Sequence, residues 1–155
     1  MDRSVHADIA GQLAGNGCRF HHIGIIVRDL VAAAETYRLL GFGPGHEEEI
    51  AAQGVRVLLL PTGPPEQYIE LFTPLNEGRL TDFLDKRGEG IHHVAFAVND
   101  LTAALGQLRA NGVRLVDATP RAGAHGWLVA FLHPASAHGV LIELVQAQSA
   151  VVGSQ

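Results

Sequence analysis

Only one cysteine, Cys18, occurs in the 155 residues, which excludes an internal disulfide and fits a reducing compartment. Charge is scarce as well: 17% of residues are charged, and 11 Lys and Arg against 16 Asp and Glu leave a net charge of −5. That balance offers no basic footprint for nucleic acid. Long apolar runs are also missing. No window approaches the roughly 18 apolar residues of a membrane span. The first 17 residues, MDRSVHADIAGQLAGNG, are broken by acidic and polar side chains where a signal peptide needs an apolar core. These absences lead to the expectation of a cytoplasmic protein with neither a nucleic acid nor a membrane as partner. Hydrophobic residues (47%) and glycine (18 residues) are plentiful, the composition of a globular chain with many tight turns. A chain of this length forms about one domain and buries roughly 70% of the surface that its unfolded form exposes.

The chain is written twice. CRFHHIGIIVRDL (18–30) returns as GEGIHHVAFAVNDL (88–101), each with a His-His pair at the head of an apolar run. An Asp that can cap a helix follows (Asp29, Asp100), then an Ala- and Leu-rich segment, then a glycine suited to a left-handed helix end (Gly41, Gly112); Asp and Gly are 12 residues apart in both copies. Beyond each helix the apolar period falls from about 3.6 to 2. In the first half this predicts strands over 45–50, 55–60 and 67–72, and in the second over 113–117, 127–132 and 139–145. Each half reads βαβββ, with a short helix over 80–87 between them. The expected fold class is α+β: two tandem βαβββ modules, about 20–75 and 91–147, forming one curved, mostly antiparallel sheet in a single domain over 18–148. Residues 1–17 form an N-terminal arm and 149–155 a C-terminal tail.

Alternation along the first strand puts His22, Gly24 and Ile26 on one face, and its counterpart puts His93, Ala95 and Ala97 on the equivalent face. Gly24 and Ala95 leave room there for a ligand. His21 and His92 are expected on the opposite face. The last strand of each half carries one carboxylate among apolar neighbours, Glu70 in YIELF and Glu143 in VLIELV. A buried carboxylate normally neutralises, pairs or binds a metal. His22 to Glu70 spans 48 residues and His93 to Glu143 spans 50, so equivalent strands supply one His and one Glu in each half. Taken singly, each is an ordinary strand histidine or edge glutamate; the repeated spacing groups them. If the halves pack about a pseudo-twofold axis, the four converge on one point. Two imidazoles and two carboxylates suit cobalt, manganese, nickel, iron or zinc, and suit calcium or copper(I) poorly. Four ligands on a six-coordinate ion leave two positions for water or a chelating substrate. His46, His125, His133 and His138 read as loop residues, and Glu47, Glu48 and Glu49 as a solvated turn and strand edge.

Paired βαβββ modules with these ligands resemble the vicinal oxygen chelate superfamily, which includes the glyoxalase, bleomycin-resistance and extradiol dioxygenase families. Within it, HHIGIIVRDL, YIELFTPL, FLDKRGEGIHHVAFAV, GVRLVDATPRAGAHG and FLHPASAHGVLIEL are similar to the methylmalonyl-CoA epimerase family over about residues 20–147. The resemblance implies an isomerase that interconverts 2R- and 2S-methylmalonyl-CoA by moving the alpha proton through a metal-stabilised enolate. It also implies a divalent metal, with cobalt favoured, on His22, Glu70, His93 and Glu143, and a homodimer as the assembly. Glu143 and Glu70 are the candidate proton-transfer groups. Some epimerases carry a glutamate where this chain has Val57, so the second base is open between Glu70, a water and His125. For the acyl-CoA thioester, the RAGAHG loop offers Arg121, Gly123, Ala124, His125 and Gly126, while Lys86, Arg87 and Arg121 are candidates for the CoA phosphates. Two other readings stand beside this one. A glyoxalase-like isomerase or another 2-alkylmalonyl-CoA epimerase would use the same metal, and a drug-sequestering binder would need no convergent His and Glu set.

Overall fold

The computed structural model describes residues 15–64 and 66–147; most of the expected N-terminal arm and all of the C-terminal tail lie outside the described residues. Module one contributes β1 (Arg19–Ile26), α1 (Leu30–Leu39), β2 (His46–Ile50), β3 (Val55–Gly63) and β4 (Gln67–Pro74). The linking helix α2 covers Arg79–Arg87. Module two contributes β5 (Gly90–Ala97), α3 (Leu101–Ala110), β6 (Arg121–Ala122), β7 (Leu128–Leu132) and β8 (Ile142–Gln146). All eight strands join one curled, mixed sheet in the order β2-β3-β4-β1-β5-β8-β7-β6. Read outward from the centre, the two halves of that order match strand for strand. In each module the first strand runs parallel to the last, and the antiparallel pair β1 and β5 joins the modules along the pseudo-twofold axis. The expected architecture is therefore present.

The helix ends are where the capping residues place them. Asp29 accepts a hydrogen bond from the Ala32 N–H at 3.1 Å and Asp100 one from Ala103 at 3.0 Å, each filling one of the donors that a helix start leaves free. Gly41 (φ 95°) and Gly112 (φ 81°) turn the chain out of α1 and α3 in a conformation that disfavours a side chain. Helix α1 packs Leu30 and Ala34 on Leu58, Leu60 and Leu71, while α3 packs Leu101, Ala104, Leu105 and Leu108 on Ala130, Leu132 and Leu144. A third apolar cluster, including Ile26, Val57, Phe72, Trp127 and Val145, lies on the other side of the sheet, within its curl.

Two strand expectations need correction. Residues 113–117 do not form a regular strand. The Asp117 carboxylate accepts the Phe131 N–H at 2.8 Å, and the Val116 and Asp117 N–H groups both donate to the Phe131 carbonyl, so a side chain takes a place in the ladder. On its outer edge the regular partner of β7 is instead the two-residue β6. The strand expected to begin at 139 begins at 142, because the turn from Pro134 carries His138 and Gly139 through positive φ before the chain straightens.

Candidate functional site

Sheet register explains how the four polar residues meet. Gly24 of β1 lies between Glu70 of β4 and His93 of β5, and Ala95 of β5 lies between His22 of β1 and Glu143 of β8. Each row thus sets a residue with little or no side chain between an imidazole and a carboxylate. The two larger groups lean over it and meet. A Cβ on Gly24 would lie 2.0 Å from His93 Cε1, so the space expected for a ligand is filled by the histidine itself.

His22, His93, Glu70 and Glu143 are all buried, with 0%, 4%, 8% and 6% of their surface exposed. His22 Nε2 lies 3.1 Å from His93 Nε2, 3.4 Å from Glu70 Oε2 and 3.7 Å from Glu143 Oε2. His93 Nε2 lies 3.5 Å from Glu70 Oε1 and 3.0 Å from Glu143 Oε2. Glu70 therefore addresses the two imidazoles with different oxygens, whereas Glu143 addresses both with Oε2 and leaves Oε1 outside these pairings. Among the described residues, no Lys or Arg forms an ion pair with either carboxylate. Two imidazole nitrogens facing each other between two buried carboxylates require protons or a cation between them. This donor set fits a divalent ion; one ligand atom each from His22, Glu70 and His93 lie within 4.8 Å of one another.

The first histidine of each pair departs from expectation. Strand pairing skips a residue at His21 and another at His92, so each is a bulge and both members of each pair face the site. His21 Nδ1 lies 2.7 Å from His22 Nδ1, and His92 Nδ1 lies 3.0 Å from His93 Nδ1. The His21 ring meets Trp127 edge-on at 4.6 Å, and the His92 ring meets Phe83 at 4.9 Å. Both thus hold the outer nitrogen of an inward-pointing imidazole, the position from which a neighbour fixes ring orientation and tautomer.

Burial dominates the proton affinities. It pushes His21 and His92 down to about 4, helped by the adjacent His22 and His93 respectively. Burial also lowers His22, but Glu70 and Glu143 outweigh it and His22 ends above its ordinary value. Burial raises the Glu70 carboxyl against the pull of both imidazoles, whereas for Glu143 the imidazoles prevail over burial and hold it below the usual carboxylate range.

A cavity of about 450 Å³ opens beside this quartet, with Glu70, His93 and Glu143 in its wall. Its apolar lining includes Val57, Phe72, Phe83, Trp127 and Phe131. Of the loop candidates, Arg121 and Ala124 line it, while Gly123, His125 and Gly126 do not. Arg121 stacks over Phe131 at 5.4 Å and pairs with Asp117 at 3.4 Å. Of the phosphate candidates on α2, Lys86 is exposed in the last turn and Arg87 stacks over Phe83 at 5.2 Å. Sequence reasoning missed Arg79, which lines the cavity, and His92, which does so only because of its bulge. His133 accepts a hydrogen bond from the Ala135 N–H within its own turn.

Comparison with known proteins places this chain in a family. The glyoxalase/bleomycin resistance protein/dioxygenase superfamily model matches residues 21–131. The ethylmalonyl-CoA/methylmalonyl-CoA epimerase of Cereibacter sphaeroides is 41% identical over 132 residues, covering 83% of this chain and 97% of the relative. Among solved structures, methylmalonyl-CoA epimerase from Mycobacterium tuberculosis superposes with a TM-score of 0.81 at 42% identity, covering 87% of this chain and 91% of the other. A methylmalonyl-CoA epimerase in complex with methylmalonyl-CoA gives 0.79 at 40% identity, covering 84% and 95%. From its paired modules, its match across both of them and its likeness to these enzymes, the chain belongs to the glyoxalase/bleomycin resistance protein/dioxygenase superfamily.

Proposed function

We propose that this protein is a divalent-metal-dependent epimerase that interconverts the 2R and 2S forms of methylmalonyl-CoA. The observation that carries the reading is the convergence of His22, Glu70, His93 and Glu143 at one cavity, in a chain 41% identical to an epimerase of this class. In this reading the four residues hold the metal, with cobalt, manganese, nickel, zinc and iron all compatible with the ligand set. The bound cation supplies positive charge where negative charge develops on the substrate's thioester oxygen.

The chain's own groups supply the rest. Glu143 presents Oε1, free of the imidazoles, as the group that takes the alpha proton. Val57 has no proton to move, and of Glu70 and His125 only Glu70 lies in the cavity wall, which supports Glu70 as the partner that returns a proton on the opposite face. The aromatic wall of Phe72, Phe83, Trp127 and Phe131 excludes water around the developing charge. Arg79 and Arg121 at the cavity meet the anionic groups of the CoA ester, and Ala124 lies against its acyl end. The quartet favours this reading over a metal-free binder, which has no use for two buried carboxylates.

The companion proposals concern setting. A homodimer is supported by Val31, Leu39 and Leu40, apolar residues left exposed on and just after α1, and sedimentation of the purified chain tests it. The single free, exposed Cys18 supports a cytoplasmic location, and no helix among the described residues is long and apolar enough to cross a membrane.

The decisive test loads the protein with cobalt, adds methylmalonyl-CoA in deuterated water, and follows the alpha proton by NMR together with 2R/2S interconversion. Exchange with interconversion supports the epimerase; metal-loaded protein that leaves the alpha proton in place overturns it. Ethylmalonyl-CoA belongs in the same experiment, because the Cereibacter relative bears both substrate names.

A further inference from the structure

A second group of metal-type ligands lies apart from the quartet. His46 and Glu48 are two residues apart on β2, so their side chains leave the same face of the strand. Glu48 pairs across to Val57, and Ile50, next in the same alternation, lines the cavity with Val57, so that face is the concave one. The Ala124–Gly126 turn of module two meets it there. The His125 N–H donates to Glu48, His46 Nε2 stands 3.7 Å from Glu48 Oε1, and the His46 and His125 rings are 5.0 Å apart. One ligand atom from each of the three residues lies within 4.8 Å of the others.

Three features make this a site for an ion from solution. Arg56, the nearest strong cation along β2 and β3, is taken by Glu47 and Glu49 on the other face and leaves Glu48 alone. The cluster is open, with His46 and Glu48 side chains 52% and 29% exposed, so an ion enters without crossing the apolar core. His125 holds its ring toward His46 from a left-handed backbone conformation (φ 55°, ψ 27°), sparsely populated by residues other than glycine.

We propose that His46, Glu48 and His125 form a second, solvent-accessible divalent-cation site, of the borderline class that includes zinc, cobalt and nickel. Two imidazoles and one carboxylate, with the remaining positions left to water, match that class and not calcium or magnesium. Its ligands come from both modules, so an ion there ties β2 to the 124–126 turn. Ile50 and Gln53 beyond Glu48, and Ala124 and Trp127 on either side of His125, line the same cavity. Occupancy therefore ties together two segments of the cavity wall, independently of the buried quartet.

Zinc alone, titrated into the full-length metal-free protein and counted after dialysis, tests this. The expected result is one more equivalent bound by the wild type than by His46→Gln, with the difference lost again in Glu48→Gln, which keeps an oxygen acceptor for the His125 N–H. In His93→Gln, where the quartet is broken, zinc is expected to slow amide exchange at residues 124–127, and His46→Gln added to that background is expected to remove the effect. Equal zinc uptake by wild type and His46→Gln overturns the proposal, whatever happens at the quartet; so does zinc-dependent protection that survives the second substitution.

Discussion

At the residue scale, the site depends on what Gly24 and Ala95 omit. Three atoms of the His93 ring would lie within 2.5 Å of a Cβ on Gly24, and β1 is pinned on both sides by β4 and β5, so the imidazole must move instead. Gly24→Ala is expected to fold with metal affinity reduced about tenfold or more, as displaced or poorly oriented ligands generally do. Competition against a chromogenic chelator measures it, and unchanged affinity would show that the ring has somewhere else to go. Glu143 carries a separate prediction. Glu143→Gln keeps a ligand oxygen but cannot accept the alpha proton, so solvent exchange should fall by about 10²–10⁴ in metal-loaded protein, the usual worth of a positioned base. Near-normal exchange in a variant with full metal content would move the base elsewhere.

At the scale of elements, the caps are legible and quantitative. Asp29 serves as N-cap in an exposed turn, away from the quartet. Asp29→Ala is expected to cost about 1 kcal/mol and lower the melting temperature by roughly 2–4 °C with metal content unchanged, as calorimetry and metal analysis can check. Glycine stops, the linking helix, seven of the strands and the four convergent residues were equally readable, because each leaves a periodicity, a capping residue or a repeated spacing. The bulges at His21 and His92 left no such trace. An inserted residue shifts the face of a strand without altering its composition, so strict alternation turned both histidines the wrong way. Residues 113–117 misled for a related reason: VRLVD has the pattern of a strand, but its aspartate carboxylate bonds the neighbouring backbone in place of an amide partner. Arg79 was missed because only the packing of α2 shows which of its residues reach the cavity.

At the scale of the whole molecule, each module supplies one imidazole and one carboxylate across the β1–β5 seam, so a bound ion ties the halves together. An ion that binds only the folded chain, present at about 100 times its dissociation constant, adds roughly 2.7 kcal/mol. Chelation should therefore lower the melting temperature by about 5–10 °C. The metal-free protein should also be acid-sensitive in a defined window. His21 and His92 are held near 4 by burial and by the neighbouring histidine, while in the unfolded chain they protonate near 6.5. Between these values the unfolded state binds the extra protons, so stability is lost as pH falls from about 6.5 to 4. The raised His22 acts elsewhere: its contribution is complete below 6.5 and fades only as pH rises through its folded value. Glu70, raised by burial, gains stability on acidification and offsets part of the loss, while the contribution of the lowered Glu143 disappears only below its ordinary value. Two histidines against one carboxylate leave a net fall. Thermal melts of chelated protein across this range should slope downward toward acid, and His21→Gln combined with His92→Gln should flatten the slope. Parallel curves would mean that the bulged histidines take up protons in the fold as readily as in the open chain, and that their contacts with His22 and His93 hold less tightly than their burial implies.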